Sequence, residues 1–170
     1  MKKMRKYWIE RLLAAGLLAT VLAAVLALCG GCIKEGDEPV WSLGAGDPVP
    51  DFTVTLADGT PWHSTTQLRG HKGVIVFFNT DCADCRRELP HLQTLWETEY
   101  AETDPDAFIC IAREQDAAEI AAYWTEHSLT MPYAPQSDRS VYSLFATSWI
   151  PRIYLTNPDL TISAALTTYP

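Results

Sequence analysis

The feature that most constrains the fold of this chain is a pair of cysteines between an apolar run and a helical pattern. Residues 74–78 have the β-branched and aromatic composition of a buried strand. After them come Cys82-Ala83-Asp84-Cys85 and then apolar residues at helical spacing, Leu89, Leu92, Leu95 and Trp96. The pattern places two thiols at the end of a strand and in the first turn of a helix. Because a helix N-terminus favours negative charge, the position favours a Cys82 thiolate and indicates redox chemistry.

Other uses of a Cys-x-x-Cys pair fit the sequence less well. A zinc site needs a second pair of ligands, and the only nearby candidate is His91. Covalent haem attachment requires histidine directly after the second cysteine, where Arg86 stands instead. A fixed structural disulfide usually closes a longer loop, although it remains an alternative. We therefore favour a redox-active dithiol and predict no metal site and no cofactor.

The first 31 residues have the composition of a targeting segment. Residues 12–28 carry no charge and follow a basic head formed by Lys2, Lys3, Arg5, Lys6 and Arg11. The small residues Gly30 and Gly31 precede Cys32, which resembles a bacterial lipoprotein signal, although Cys29 stands where that pattern prefers leucine. We expect a signal peptide over 1–31, lipidation at Cys32 and a flexible tether over 32–46. A signal anchor or an ordinary cleaved signal is the alternative.

The remaining residues, 47–170, are enough for one domain in the cell envelope, facing the periplasm or the cell exterior. Removal of residues 1–31 deletes five basic side chains and one acidic one, so the net charge changes from −8 to −12. Such an acidic domain is a poor nucleic-acid binder, because phosphate contacts need Lys and Arg. Outside the cytoplasm, the oxidation state of a dithiol depends on dedicated partners, so we expect a membrane or extracytoplasmic electron donor.

The order of the predicted elements indicates an α/β sandwich with a mixed sheet. A hairpin forms around the Asp58-Gly59 turn, and Pro90 lies within the first long helix. The predicted strands are 52–56, 60–63, 74–78, 107–112, 152–156 and 160–165, and the predicted helices are 82–100, 116–127 and 140–146.

Residues 47–165 resemble the membrane-tethered TlpA/ResA type of thiol–disulfide oxidoreductase in the thioredoxin superfamily. The stretches that carry the resemblance are Pro50-Asp51-Phe52 with Ala57-Asp58-Gly59, residues 74–78, residues 82–90, and Ile150-Pro151 before a strand. The resemblance implies a thioredoxin-like fold, with a central mixed sheet flanked by helices and an N-terminal β-hairpin. Because the last predicted strand lies close to Pro170, we expect the usual C-terminal helix to be missing.

By the same resemblance, Cys82 is the attacking thiolate and Cys85 resolves the mixed disulfide. Glu88 matches a glutamate that tunes the thiols in ResA-like members. Pro151 is expected to be cis, and the backbone of Ile150 to pair with an extended segment of a disulfide-containing protein substrate. The implied function is reduction of protein disulfides by a lipid-anchored enzyme. The alternatives are a non-catalytic thioredoxin-like lipoprotein and a peroxiredoxin-like peroxidase.

The sequence departs from the family pattern beside the dithiol. Asp81 and Asp84 flank Cys82, and negative neighbours raise a thiol pKa, so we expect a moderately acidic thiol and a reducing couple. Val76 stands where thioredoxin has a buried acid, so Glu88 or water must relay protons. Cys110, in the middle of a predicted buried strand, is expected to be an inert apolar residue.

Overall fold

The structure is a computed structural model that describes residues 43–169 of the chain. The predicted signal peptide, the predicted lipidation site Cys32 and most of the predicted tether lie outside the described residues. Within the described part, no helix is both long enough and apolar enough to cross a bilayer.

A five-stranded mixed sheet forms the centre of the domain; the sequence predicted a mixed sheet but missed the short strand β5. Its order is β5-β4-β3-β6-β7, with β3, β4 and β5 parallel and with β6 and β7 antiparallel to their neighbours. All residues of β3 and β4 are buried, which explains their unbroken apolar sequence. The strands are β3 Gly73–Phe78, β4 Phe108–Ala112, β5 Tyr133–Ala134, β6 Arg152–Thr156 and β7 Ile162–Leu166.

The predicted N-terminal hairpin is present as a separate two-stranded sheet, with β1 Thr53–Thr55 paired to β2 Pro61–His63. Gly59 has a φ of +89° in the connecting turn, a conformation that side chains rarely adopt. The indole of Trp62 donates to the carbonyl of Asp106 at 2.8 Å, which ties the hairpin to the segment before β4.

Residues 43–169 contain three α-helices, which are α1 Ser64–Gln67, α2 Ala83–Leu95 and α3 Ala117–Glu126. Helix α2 contains Pro90 and continues through a π-helical turn, Trp96–Tyr100, to the predicted end of the helix. The carboxylate of Asp116 caps α3. Short 3₁₀ turns lie at Pro105–Ala107 and Tyr142–Leu144. Within residues 43–169 no helix follows β7.

Successive phenylalanines of β3 lie in different aromatic clusters on the two sides of the sheet. Phe78 packs on Trp124 of α3, with ring centroids 5.0 Å apart, whereas Phe77 packs on Tyr142, 5.5 Å away, and on Tyr154. This division follows from the alternation of side chains along a strand.

The register between β3 and β6 explains why distant parts of the sequence meet at one edge of the sheet. Phe77 pairs with Arg152 in antiparallel register, so the end of β3 lies beside the beginning of β6. The cysteine motif follows β3 and the Ile150-Pro151 pair precedes β6. Two segments about seventy residues apart are thereby brought together.

Candidate active site

Cys82 is the N-cap residue of α2, as the sequence predicted. Its sulfur accepts a hydrogen bond from the backbone N–H of Cys85, with a Sγ–N distance of 3.4 Å. Cys82 is half-buried and Cys85 is fully buried, and both are free thiols. Only the first sulfur is therefore accessible to a substrate.

The surroundings of Cys82 lower the pKa of its thiol to about 6. The main cause is the Cys85 thiol, which donates a hydrogen bond to the Cys82 thiolate. Backbone N–H groups of Cys85 and Asp84 also favour the thiolate, while burial and the carboxylate of Asp84 oppose the shift. At neutral pH the accessible sulfur is therefore mostly the nucleophilic thiolate.

The second thiol behaves in the opposite way. Burial raises the pKa of Cys85 strongly, and the hydrogen bond to Cys82 together with the Cys82 charge raises it further. A backbone hydrogen bond from Asn79 and the positive charge of Arg113 oppose this rise. The motif thus contains one thiolate exposed for attack and one protonated thiol held behind it.

The Ile150–Pro151 peptide bond is cis, as the family resemblance implied. The Cys82 thiol lies 3.5 Å from the carbonyl oxygen of Ile150, within reach of a hydrogen bond. The structure therefore brings Cys82, Cys85, Ile150 and Pro151 together. Pairing of the Ile150 backbone with a substrate stays a prediction.

Glu88 lies one turn after Cys85 on α2 and is buried. Its carboxylate accepts a hydrogen bond from the backbone N–H of Tyr169 at 3.0 Å, so it holds the segment after β7 against α2. The sequence did not indicate this contact. The predicted effect of Glu88 on the thiols stays a prediction.

A buried contact between Thr80 and Gln115, here called the dithiol clamp, was missed by the sequence analysis. The side-chain oxygen of Gln115 accepts from the backbone N–H of Thr80 at 2.9 Å, and its amide donates to the Thr80 hydroxyl at 2.6 Å. Both residues are buried. A signal was available, because Thr80 and Gln115 both follow the carboxyl ends of predicted buried strands, which meet at one edge of a parallel sheet.

Asn79 adds a second link between the same two segments. Its side chain donates to the carbonyl of Arg113 at 3.0 Å and accepts from the N–H of Asp81 at 2.8 Å. Its backbone carbonyl accepts from the N–H of Cys82 at 3.1 Å. The turn before the dithiol is therefore held from both sides.

Comparison with known proteins agrees with this geometry. The family model Redoxin matches residues 44–151, more than half of the chain. The chain belongs to the Redoxin family.

Individual relatives of this Redoxin-family chain are thiol–disulfide enzymes by name. Thiol-disulfide oxidoreductase ResA of Oceanobacillus iheyensis is 29% identical over 93% of this chain and 80% of its own length. A proposed protein disulfide isomerase from Bacteroides thetaiotaomicron has a similar solution structure, with a TM-score of 0.69, 24% identity, and coverage of 78% of this chain and 84% of that one.

A thiol:disulfide interchange protein of the thioredoxin family from Chlorobium tepidum superimposes with a TM-score of 0.62 at 19% identity. That match covers 80% of this chain and 90% of the other. The structural matches establish the thioredoxin-like fold. Together with the ResA match they confirm the predicted TlpA/ResA-like membership and the class of thiol–disulfide oxidoreductase.

The acidic flanks of Cys82, Asp81 and Asp84, each form an ion pair with an arginine of α2. Arg86 Nη2 lies 3.6 Å from the carboxylate of Asp81, and Arg87 forms a close ion pair with Asp84. Asp84 raises the Cys82 pKa as predicted, but its contribution is the smallest of those that act on the thiol. The lowered pKa of Cys82 agrees with the expected moderately acidic thiol, and the reducing couple stays a prediction.

Cys110 differs from Cys82 in burial and in the direction of its pKa shift. It is fully buried in β4, its sulfur lies 3.9 Å from that of Met131, and burial raises its thiol pKa. Its burial agrees with the expected apolar core residue, and its inertness stays a prediction. Among residues 43–169, no three His, Cys, Asp or Glu side chains are grouped as a metal ion would require.

Proposed function

We propose that this Redoxin-family oxidoreductase is a lipid-anchored enzyme of the cell envelope that reduces protein disulfides. The observation that carries the proposal is the asymmetry of the dithiol. Cys82 is accessible with a pKa lowered to about 6, and Cys85 is buried with a raised pKa. Such a pair suits nucleophilic attack by the first sulfur and resolution by the second.

The reaction begins when the Cys82 thiolate attacks one sulfur of a substrate disulfide. A bond forms between Cys82 Sγ and that sulfur, the substrate S–S bond breaks, and the other substrate sulfur leaves as a thiolate. Cys85 then loses its proton and attacks Cys82 Sγ, which releases the second substrate thiol. The product is a Cys82–Cys85 disulfide, and two electrons have passed to the substrate. A dithiol donor outside the cytoplasm returns the enzyme to its reduced form.

Deprotonation of Cys85 is the step that the buried site makes most difficult. Val76, buried in β3, cannot accept a proton. Glu88 is the ionisable side chain one turn further along α2, and it is also buried. We assign Glu88, directly or through water, to the transfer of the Cys85 proton.

The cis-proline loop supplies the substrate-binding surface in this proposal. Ile150 O lies next to the attacking sulfur, so an extended segment that pairs with this backbone would present its disulfide to Cys82. The backbone of Ile150 thereby orients a substrate without demanding a particular side-chain sequence.

The anchor and the location are argued from residues 1–46. The basic head, the uncharged stretch and the small residues before Cys32 support export and lipidation at Cys32, followed by a short tether. Replacement of Cys32 by alanine should move the protein from the membrane fraction to the soluble fraction. Retention of the variant in membranes would favour a signal anchor.

The activity is tested with the full-length protein and insulin as a disulfide substrate. We expect reduction that depends on Cys82, and a stable mixed disulfide with substrate in the Cys85→Ser variant. The reduction potential of the pair should be more negative than about −180 mV, the value for protein disulfide isomerase. A pair that cannot be reduced by dithiothreitol, with no insulin reduction, would favour the non-catalytic alternative.

A further inference from the structure

The loop before the cis peptide bond is held by two buried side chains. The carbonyl of Ser148 accepts hydrogen bonds from Nε and Nη2 of Arg152 at 3.1 and 2.6 Å. The carbonyl of Trp149, the next along the chain, accepts from the hydroxyl of Tyr142 at 2.8 Å. Arg152 and Tyr142 are both buried. Two successive carbonyls are thus directed into the protein by fixed donors.

The third carbonyl in this series, that of Ile150, is the one that lies 3.5 Å from Cys82 Sγ. Trp149, directly before it, has a φ of +69°, in the left-handed region that is unfavourable for a bulky side chain. Such a conformation persists only where the surroundings impose it. The direction of the Ile150 backbone therefore depends on the groups that hold Trp149.

Tyr142 is itself fixed by contacts that do not involve the loop. Its ring packs edge-on against Phe77, with centroids 5.5 Å apart. The guanidinium groups of Arg113 and Arg139 lie 5.1 and 5.3 Å from the ring centroid. The hydroxyl is therefore a donor in a set position, to which the carbonyl of Trp149 adapts.

We propose that Tyr142 is a positioning residue for substrate binding, because its hydroxyl sets the backbone of Ile150 for pairing with an extended disulfide-bearing peptide. The inference rests on the proposed function, in which that backbone binds the substrate. Tyr142 lies on a 3₁₀ turn away from the cysteine motif and has no role in the thiol chemistry itself. Its loss should weaken peptide binding without changing the reactivity of Cys82.

The chain offers a matched control for this hydroxyl. Tyr154 is also buried, packs against the same Phe77 ring, and donates its hydroxyl to a backbone carbonyl, that of Phe145, at 3.0 Å. Phe145 precedes the loop and does not adjoin the thiols. Tyr142→Phe and Tyr154→Phe each remove one buried hydrogen bond to a carbonyl, so their effects on stability should be similar.

The experiment compares the full-length wild type with the two variants on two substrates. One substrate is a disulfide-linked extended peptide, and the other is hydroxyethyl disulfide, which has no peptide backbone. For Tyr142→Phe we expect the KM for the peptide to rise about fivefold, the effect of one lost hydrogen bond, with kcat unchanged. Turnover of hydroxyethyl disulfide should stay within about twofold of wild type, and Tyr154→Phe should match wild type on both.

Thermal unfolding of the three proteins separates a local effect from partial loss of the fold. Equal KM values for wild type and Tyr142→Phe would overturn the assignment, and so would an equal rise in Tyr154→Phe. A wild type that reduces neither substrate would instead contradict the proposed function. An active wild type with an unaffected Tyr142→Phe variant would remove only the role of Tyr142.

Discussion

Two buried glutamines hold a threonine in the same way at the two ends of helix α2. In the dithiol clamp, Gln115 bonds the N–H and the hydroxyl of Thr80. In the other pair, here called the distal clamp, Gln93 accepts from the N–H of Thr130 at 2.9 Å and donates to its hydroxyl at 2.7 Å. The distal clamp lies about 12 Å along the helix axis from Cys85.

A cysteine accompanies each clamp, and the comparison shows how position in the fold changes the properties of a thiol. Cys82 follows the dithiol clamp, at a helix N-terminus with donors on its sulfur. Cys110 lies near the distal clamp, against Met131, whose N–H also donates to Gln93. The two regions share the glutamine–threonine contact, and their cysteines differ in exposure and in the hydrogen-bond donors around the sulfur. Position in the fold, rather than residue type, confers the reactivity.

The largest expected effect is the loss of one of these two cysteines. Cys82→Ser should lower insulin reduction to the uncatalysed rate, because no other described thiol is accessible. Cys110→Ala should keep full activity and lose about 1 kcal/mol of stability, the cost of a small buried cavity. Turnover assays measure the activity of both variants, and chemical denaturation measures their stability. Residual activity in Cys82→Ser, or inactivity in Cys110→Ala, would contradict the expected difference between the two cysteines.

The next effect is the pH dependence of thiol reactivity. Alkylation of the reduced protein by iodoacetamide should be confined to Cys82 and reach half of its maximal rate near a pH of about 6. Cys110 and Cys85, which are buried with raised pKa values, should react only on unfolding. Mass spectrometry of labelled peptides distinguishes the three. Labelling of Cys110 in the folded protein at neutral pH would contradict the assigned burial.

The same pKa predicts a change in stability with pH. The folded pKa of about 6 lies below the ordinary thiol value of 9.0, so the thiolate stabilises the folded state. This contribution is complete above the unfolded pKa and is lost as the pH falls through the folded pKa. Relative to Cys82→Ser, the reduced wild type should therefore gain stability from pH 6 to pH 9. Denaturant titration at several pH values tests this prediction. A difference in unfolding free energy between wild type and Cys82→Ser that does not change with pH would exclude the lowered pKa of Cys82.

Replacement of each clamp glutamine by leucine should separate an effect on enzyme activity from an effect on the stability of the fold. Both changes leave a buried backbone N–H without its acceptor, that of Thr80 or of Met131, at a cost of about 1–3 kcal/mol. Gln115→Leu should also lower kcat/KM about tenfold, because the turn that precedes Cys82 loses its support. Gln93→Leu should stay within about twofold of wild type. Equal kinetic losses in the two variants would show that the dithiol clamp has no special role.

Local sequence patterns predicted some parts of this structure and missed others. The apolar runs of β3 and β4 and the helical spacing after Cys85 predicted the sheet centre and α2, because local patterns determine buried strands and amphipathic helices. The dithiol clamp joins positions 35 residues apart, and the contact between Tyr142 and Trp149 depends on a loop conformation. Neither leaves a periodic signal. The two-residue strand β5 is too short to produce one.

The family resemblance predicted features of the site that the periodicity of the sequence could not predict. The cis bond before Pro151 and its proximity to Cys82 were expected only from the family resemblance, because no local pattern predicts that β6 begins beside the end of β3. The resemblance did not indicate the bond between Glu88 and Tyr169. That contact involves the segment after β7, for which the sequence predicted no contact.

The smallest expected effect concerns the acidic residue within the motif. Asp84→Asn removes the carboxylate that opposes the Cys82 thiolate but keeps the backbone N–H that favours it, so the Cys82 pKa should fall by a few tenths of a unit. The change also frees the positive charge of Arg87, which acts in the same direction. Asp81→Asn is the control, because that carboxylate is 83% exposed and should have less effect. Thiolate absorbance measured against pH gives both values. A pKa that rises in Asp84→Asn would mean that the carboxylate stabilises the thiolate indirectly, through the turn rather than through its charge.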